Sequence, residues 1–204
     1  MRPVDEVEHL LDGDGAVMAF ARAKKKSEPL SEEALFEYAV GALARKMRTV
    51  RDLKKLMRSR AEEGDAGEQA MDRIVTRLKE LKYLSDTRFA ADYARLRKEN
   101  EKYGKRRVQQ GLVQKGVHKE LIASTLEKEY GDIDEVALAR EYIARKRIRR
   151  PEGEDAKKQA ARVMGRLQRA GFSAGTVFKV LRAWDVEVDE SAIEEDDSAI
   201  EPEL

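Results

Sequence analysis

Three five-residue stretches with the same apolar spacing recur at a constant interval, and this repeat constrains the fold more than any other feature. The stretches LKKLM, VQQGL and VMGRL begin at Leu53, Val108 and Val163, so the first and second are separated by the same interval as the second and third. Each has an apolar first and fifth residue with mostly polar residues between, which is the spacing of one helix face. The same interval relates Gly116 to Gly171. The pattern predicts a modular fold of repeated helical units rather than one large core.

The composition indicates that these units are helical. Only 6% of the residues are aromatic, there are 4 prolines, and 40% are charged. Long runs of Ala, Leu, Glu, Lys and Arg favour helices, and no alternating run of β-branched residues predicts a strand. We predict an all-α fold: an elongated array of three tandem three-helix repeats, with a helical N-terminal extension and a disordered acidic tail. The predicted divisions are an N-terminal extension over 1–30, repeats over 31–84, 85–131 and 132–185, and a tail over 186–204.

Capping residues place the ends of several helices. Ser31, followed by acidic residues, is expected to cap the first helix of the first repeat. Asp86 is expected to cap the first helix of the second repeat. Gly116 and Gly171 are each expected to end a middle helix in a left-handed conformation.

The sequence carries no catalytic or metal-binding pattern. There is no cysteine, and the two histidines, His9 and His118, are far apart in the chain. We find no phosphate-binding glycine motif and no nucleophile–histidine pair. No stretch has the length and hydropathy of a signal core or a membrane span. We expect a cytoplasmic monomer that is not an enzyme, uses no cofactor or metal, and does not contact membranes.

The formal net charge of +1 conceals an uneven distribution of charge. Residues 189–204 contain eight acidic residues and no basic one, which leaves 41 basic against 32 acidic residues in the rest of the chain. A basic body indicates a polyanion or an acidic protein as the partner. The acidic tail either competes for the basic body or is a solvated segment without a role.

Basic residues are concentrated once per repeat, at the junction of the first and second helices. The three clusters cover residues 45–60, 95–107 and 140–150. Such clusters can follow a polyanionic filament or duplex, or they can simply keep the surface solvated. Tyr103, in a basic loop, is the aromatic residue that we expect to stack on a base, whereas Tyr142 and Phe172 are expected in the core. The candidate binding residues are Arg95, Arg97, Lys98, Tyr103, Lys105, Arg106, Arg107, Arg145, Lys146, Arg147, Arg149 and Arg150.

Residues 78–122 resemble the central module of the RecX family, which regulates the RecA recombinase. The resemblance rests on a tyrosine–leucine pair and an aspartate, then Arg-Phe-Ala, Tyr-Gly, a basic helix and Lys-Gly-Val. These are Tyr83-Leu84, Asp86, Arg88-Phe89-Ala90, Tyr93, Tyr103-Gly104, Arg106-Arg107 and Lys115-Gly116-Val117. Residues 167–181 look like the final module of the family, and 37–57 like a looser first module. Gly111 stands where the family usually has Glu, and we expect it to loosen its helix.

The resemblance implies a non-enzymatic regulator, mainly an inhibitor, that binds RecA and its nucleoprotein filament. It also implies suppression of ATP hydrolysis, filament growth and strand exchange in recombination, the SOS response and DNA repair. With the basic clusters, we expect weak and salt-sensitive binding to single- and double-stranded DNA. Two alternatives stay open: an autonomous DNA-binding protein of the helix-turn-helix kind, and a helical-repeat adaptor between proteins.

Overall fold

The computed structural model describes residues 28–185, and all regular secondary structure within that range is α-helical. Nine helices follow one another there: α1 Glu32–Arg45, α2 Val50–Met57, α3 Asp65–Glu80, α4 Asp86–Glu101, α5 Lys105–Gln114, α6 Lys119–Tyr130, α7 Glu135–Arg145, α8 Ala156–Arg169 and α9 Ala174–Arg182. The predicted all-α class is confirmed. None of these nine helices has both the length and the apolar character that crossing a bilayer requires. The predicted N-terminal extension and acidic tail lie outside the described residues.

The nine helices pack as three units of three. The closest packing joins α1–α3, α4–α6 and α7–α9, each set with its own members. The repeated apolar pairs face inward on the middle helix of each unit, because Leu53 and Met57 on α2, Val108 and Leu112 on α5, and Val163 and Leu167 on α8 are all buried. The prediction of three tandem three-helix repeats is therefore confirmed, and their residue limits stay a prediction.

The three units do not share one core equally. The first unit has a core of its own, whereas the second and third units form one continuous apolar cluster. Tyr142 and Phe172 belong to that shared cluster, with their rings edge to face at a centroid distance of 5.7 Å. Both residues are in the core, as predicted. Units two and three therefore pack as one body, and unit one packs around its own interior.

The helix caps follow the sequence prediction with one exception. Ser31 accepts a hydrogen bond from the amide of Ala34, as a capping serine does. Asp86 was the wrong choice for α4, because Ser85 holds the cap position and accepts from the amide of Arg88 at 3.2 Å. The carboxylate of Asp86 instead accepts a hydrogen bond from the amide of Val50 in the preceding unit.

Gly116 and Gly171 end α5 and α8 in the left-handed region, as predicted. Their φ angles are 70° and 93°. This conformation has little steric cost for glycine, and it turns the chain from the middle helix of a unit into its third helix.

The N-terminus of each of the first two middle helices contacts the C-terminus of the middle helix in the next unit, and both contacts involve equivalent residues. The amide of Gly104, at the start of α5, donates to the carbonyl of Ala170 at the end of α8 at 2.9 Å. The hydroxyl of Thr49, at the start of α2, donates to the carbonyl of Lys115 at the end of α5 at 2.8 Å. Thr49 and Gly104 are separated by the repeat interval, as are Lys115 and Ala170. We call these contacts the α2–α5 joint and the α5–α8 joint.

Helix electrostatics favour both joints. The positive N-terminal end of one middle helix faces the negative C-terminal end of the next. In the α5–α8 joint the free amides of Gly104 and Arg106 donate to the free carbonyls of Ala170 and Gly171, whereas in the α2–α5 joint side chains donate to the free carbonyls. In the α2–α5 joint, Arg51 donates a further hydrogen bond to the carbonyl of Gln114, and Asp86 accepts one from the amide of Val50 at 2.9 Å. The two joints fix the spacing between the basic clusters of neighbouring units.

Candidate nucleic-acid interface

The basic clusters of the second and third units converge on one surface where the end of α4 meets the end of α7. Lys102 forms an ion pair with Glu141 at 2.7 Å, and Lys146 forms one with Glu101 at 3.2 Å. Beside these pairs, the rings of Tyr103 and Tyr142 lie with their centroids 6.3 Å apart. Two stretches that are separate in the sequence are therefore adjacent in space.

Glu101 lies at the centre of this positive surface. The ammonium of Lys146, which donates a hydrogen bond to it, lowers the pKa of Glu101 below its usual range, and the nearby charges of Arg145 and Arg97 lower it further. One carboxylate is thus surrounded by three cations. Since opposite charges here do not balance, the surface keeps a net positive potential.

A polar cleft opens beside this surface, between α4 and α5. It is a small cleft of about 100 Å³ and is open to solvent. The lining residues are Tyr93, Arg97, Tyr103, Arg107, Gln110, Gly111 and Gln114. We call it the α4–α5 cleft. Two of its residues are arginines and none is acidic, so it favours an anion.

Gly111 gives the cleft its shape. A Cβ atom at this position would lie 2.2 Å from the hydroxyl oxygen of Tyr93, so the absence of a side chain leaves room for that ring. The α5 helix runs without a break through Gly111, from Lys105 to Gln114. The guanidinium of Arg97 lies over the Tyr93 ring, 5.2 Å from its centroid, and so stands beside the space that Gly111 leaves.

The first turn of α5 is basic, which is the reverse of what helix stability favours. Lys105, Arg106 and Arg107 begin the helix, and its first turn has no acidic residue. Positive charge at a helix N-terminus is unfavourable by about 0.3–1 kcal/mol for each residue at low salt. By contrast, α1 begins with Glu32 and Glu33. Local helix stability therefore does not explain the basic start of α5.

Several of the candidate residues are engaged within the protein. Arg95 pairs along its own helix with Asp92 and Glu99, at 3.1 and 3.4 Å. Lys98 is half-buried, pairs with Glu129 at 2.8 Å and lies over the ring of Tyr130. These two residues therefore make structural contacts that compete with binding a ligand.

The remaining candidates differ in what they contact. Lys105 lies 3.9 Å from Glu127 in an exposed pair, and Arg106 donates its backbone amide to Gly171 in the α5–α8 joint. Arg150 pairs with Asp185 at 3.3 Å. Three further candidates are exposed and form no ion pair within residues 28–185: Arg107, Arg147 and Arg149. The structure thus brings Arg97, Tyr103 and Arg107 together at the cleft, with Arg145 and Lys146 close by around Glu101, and it leaves Arg147 and Arg149 outside that group.

The cleft also contains residues outside the basic clusters. Gln110 and Gln114 line it from α5, and Tyr93 lines it from α4. A helical pattern could have found them, since residues 107, 110, 111 and 114 follow the spacing of one helix face, as do 93 and 97. These side chains are neutral, so the charge pattern of the sequence does not mark them.

Comparison with known proteins identifies relatives over most of the chain. The family described as RecX, second three-helix domain, matches residues 85–126. Regulatory protein RecX of Streptomyces coelicolor is 30% identical over 173 residues, which cover 83% of this chain and 87% of that protein. Regulatory protein RecX of Mycobacterium sp. strain JLS is 30% identical over 162 residues, covering 76% and 84% of the two chains.

Solved structures show the same fold. The crystal structure of RecX from Lactobacillus salivarius superimposes with a TM-score of 0.55 at 19% identity, covering 76% of this chain and 96% of that one. A second crystal structure of regulatory protein RecX gives a TM-score of 0.62 at 23% identity, covering 74% and 73%. The matched domain, the extent of the identity and the shared all-helical fold show that this chain belongs to the RecX family of regulatory proteins.

Proposed function

We propose that this protein is a non-enzymatic regulator, mainly an inhibitor, of the RecA recombinase. It binds the RecA–DNA filament and suppresses ATP hydrolysis, filament growth and strand exchange during recombination, the SOS response and DNA repair. Its partners are RecA, the nucleoprotein filament and, weakly, single- and double-stranded DNA.

The observation that carries the proposal is the repeated joint between the middle helices. Two equivalent joints, separated by the repeat interval, hold the basic clusters of neighbouring units at a defined spacing. A filament is a periodic track of protein subunits around a polyanion, and an array with built-in spacing is suited to bind such a track at several points. Multipoint binding gives high affinity from individually weak contacts.

The charge distribution supports a filament rather than bare DNA as the main ligand. Arg95, Lys98 and Lys146 form ion pairs within the protein, so fewer free cations are available to release counterions from DNA. DNA alone is then bound weakly, and the binding that remains is electrostatic and falls as the salt concentration rises. The remaining affinity comes from contacts with RecA subunits, which the protein holds together across their boundaries and so hinders subunit exchange.

The first experiment is a titration of this protein into RecA that hydrolyses ATP on single-stranded DNA. Loss of hydrolysis well below one molecule per RecA supports filament clamping or capping. Loss only when the protein is abundant enough to cover the DNA indicates competition for DNA instead. No effect at any ratio refutes the proposed function.

A pair of charge reversals tests the contribution of the basic surface. Arg107→Glu is expected to weaken inhibition, because this residue lines the α4–α5 cleft and has no ion-pair partner within residues 28–185. Arg88→Glu is the matched control, since Arg88 is an exposed arginine on α4 outside the cleft. Arg106 is less suitable, because it is half-buried whereas Arg107 is exposed. Equal inhibition by wild-type protein and Arg107→Glu contradicts a role for the cleft surface.

An adaptor between proteins is the second candidate, and the internal ion pairs favour it. If the basic residues serve only the fold and its solvation, removing Arg107 leaves every binding activity unchanged. An autonomous DNA-binding protein, by contrast, binds duplex tightly and with base preference at physiological salt when RecA is absent.

A further inference from the structure

We propose that the α4–α5 cleft is a subsite for one unpaired, phosphorylated nucleotide of single-stranded DNA. This inference deepens the proposed function and rests on its DNA-binding part. The residues that define it are Arg97 and Arg107 for the phosphate, Tyr103 for the base, and Gln110 and Gln114 for the edge of the base.

The two arginines make the cleft a site for phosphate. Arg107 is exposed and lines the cleft without a carboxylate partner, while Arg97 is held beside it by the ring of Tyr93. No acidic side chain lines the cleft itself. The planar guanidinium group binds two phosphate oxygens at once, which gives arginine both affinity and geometry for this ligand.

Tyr103 is a prepositioned platform for a base. Its carbonyl accepts a hydrogen bond from the hydroxyl of the buried Tyr130 at 2.9 Å, and its ring rests against that of Tyr142. Because the side chain is only half-buried and lines the cleft, part of the ring stays open to a ligand. Tyr93 is less available, since Arg97 already covers its face. Stacking on a fixed aromatic ring is the usual way in which proteins hold unpaired bases.

The two glutamines favour a nucleotide over an acidic peptide. Gln110 and Gln114 are exposed, lie one turn apart on α5 and line the cleft. Each amide offers both donors and an acceptor, which match the mixed edge of a base. That edge is paired within a duplex and accessible only in a single strand.

The cleft belongs to the second unit, and the glycine that shapes it is not repeated in the other two units. At the positions equivalent to Gly111 in units one and three, the chain has Leu56 and Arg166, each with a long side chain where Gly111 has none. Asp52 stands in unit one where Arg107 stands in unit two. The residue types that make the cleft suitable for an anion are therefore not repeated in the first unit.

Binding of a fluorescent oligothymidylate, followed by anisotropy over a range of salt concentrations, tests the inference. Arg107→Ala is expected to weaken binding about tenfold or more, as loss of a charged hydrogen bond does. Arg88→Ala removes the same charge outside the cleft and is expected to weaken binding only about twofold, through counterion release alone. Equal losses in the two variants overturn the inference, because they show general attraction to the backbone.

Two further arms identify the ligand. Gln110→Ala, at an exposed helix position, is expected to weaken oligothymidylate binding and leave the unfolding temperature unchanged; it carries the test if Arg107→Ala fails to fold. Competition with blunt duplex DNA is expected to be poor, and equal competition overturns the requirement for an unpaired base. Competition with free thymidine monophosphate distinguishes a DNA strand from a free nucleotide as the ligand. If it displaces the oligothymidylate at equal nucleotide concentration, the cleft is a site for a free nucleotide and the inference of a DNA subsite is overturned.

The RecA assay separates this inference from the proposed function. If wild-type protein fails to inhibit ATP hydrolysis while its cleft variants lose oligothymidylate binding selectively, the proposed function is refuted and the subsite stands. If inhibition is intact and the variants bind the oligonucleotide as the wild type does, the subsite is refuted and the proposed function stands.

Discussion

In the α5–α8 joint the backbone at Gly104 lies so close to the end of α8 that a methyl group added at Gly104 would overlap with it. The substitution Gly104→Ala therefore tests how much this contact stabilises the protein. A Cβ atom at Gly104 would lie 2.3 Å from the carbonyl oxygen of Gly171 and 2.8 Å from the amide nitrogen of Phe172. All the atoms it meets belong to the backbone, so no side chain can rotate away. Gly104 has a φ of −70°, which alanine adopts without strain. Gly104→Ala therefore changes the packing of the joint and leaves the preferred backbone conformation allowed.

The expected cost follows from three contributions. Forcing the joint apart costs about 1–3 kcal/mol, as overpacking does. It also weakens the hydrogen bonds from Gly104 and Arg106 to the end of α8, each of which contributes about 0.5–1.5 kcal/mol. Alanine lowers the conformational entropy of the unfolded chain, and this offsets roughly 0.4–1 kcal/mol of the lost stability. We expect a net loss of about 2–4 kcal/mol in the free energy of unfolding and a fall in Tm of about 5–15 °C.

Thermal and urea unfolding followed by circular dichroism measure this change. The matched control is Gly41→Ala in the middle of α1, where a Cβ atom meets nothing within 4 Å. This control is expected to raise stability by about 0.5–1 kcal/mol, because alanine favours helix more than glycine does. If Gly104→Ala is as stable as the wild type, the close contact between the middle helices does not stabilise the protein, and the reasoning on the joints fails.

The remaining predictions concern the other joint, a buried tyrosine and the acidic tail. Thr49→Val is expected to cost about 1–3 kcal/mol in unfolding free energy, because Thr49 is fully buried and donates to the carbonyl of Lys115 at 2.8 Å; Thr49→Ser keeps the hydroxyl, and an equal loss in both contradicts a role for that bond. Burial raises the pKa of Tyr130 above its ordinary value, so its contribution to stability is full below about pH 10 and is lost as pH rises above it. Tyr130→Phe is expected to be about 1 kcal/mol less stable than the wild type at pH 7, because it loses the hydrogen bond to the carbonyl of Tyr103. Between neutral and strongly alkaline pH, this variant is expected to lose less stability than the wild type. Urea unfolding at a series of pH values measures both effects, and parallel pH profiles for the two proteins refute the prediction. Deleting 189–204 removes eight acidic residues and is expected to tighten oligonucleotide binding, measured by anisotropy; unchanged affinity removes the idea that the tail competes with DNA.

Local patterns predicted the parts of the fold that depend on neighbours in sequence. The repeat interval predicted which residues of α2, α5 and α8 are buried, because a helix face is set by spacing along the chain. Ser31, Gly116 and Gly171 were predicted as helix ends for the same reason. Asp86 shows the limit of such reasoning: both Ser85 and Asp86 suit a cap, and the amide of Val50 in another unit decides which of them is used.

The candidate site was predicted only in part, since charge along the chain does not reveal which charges are already paired. Lys98 and Arg97 are adjacent in the sequence, yet Lys98 pairs with Glu129 while Arg97 lines the cleft. Gln110 and Gln114 contribute to the cleft without any charge that would have singled them out.

The sequence by itself determined the helices, their number per repeat, the buried face of each middle helix and the family to which the chain belongs, because these depend on short-range spacing and on motif residues. Only the tertiary structure decided how the repeats are joined, which basic residues are left for a ligand, and where a cleft opens. Those properties depend on contacts between residues far apart in the chain, such as Gly104 with Ala170 and Lys146 with Glu101. The packing of the second unit against the third brings such residues together, and no local pattern in the sequence predicts it.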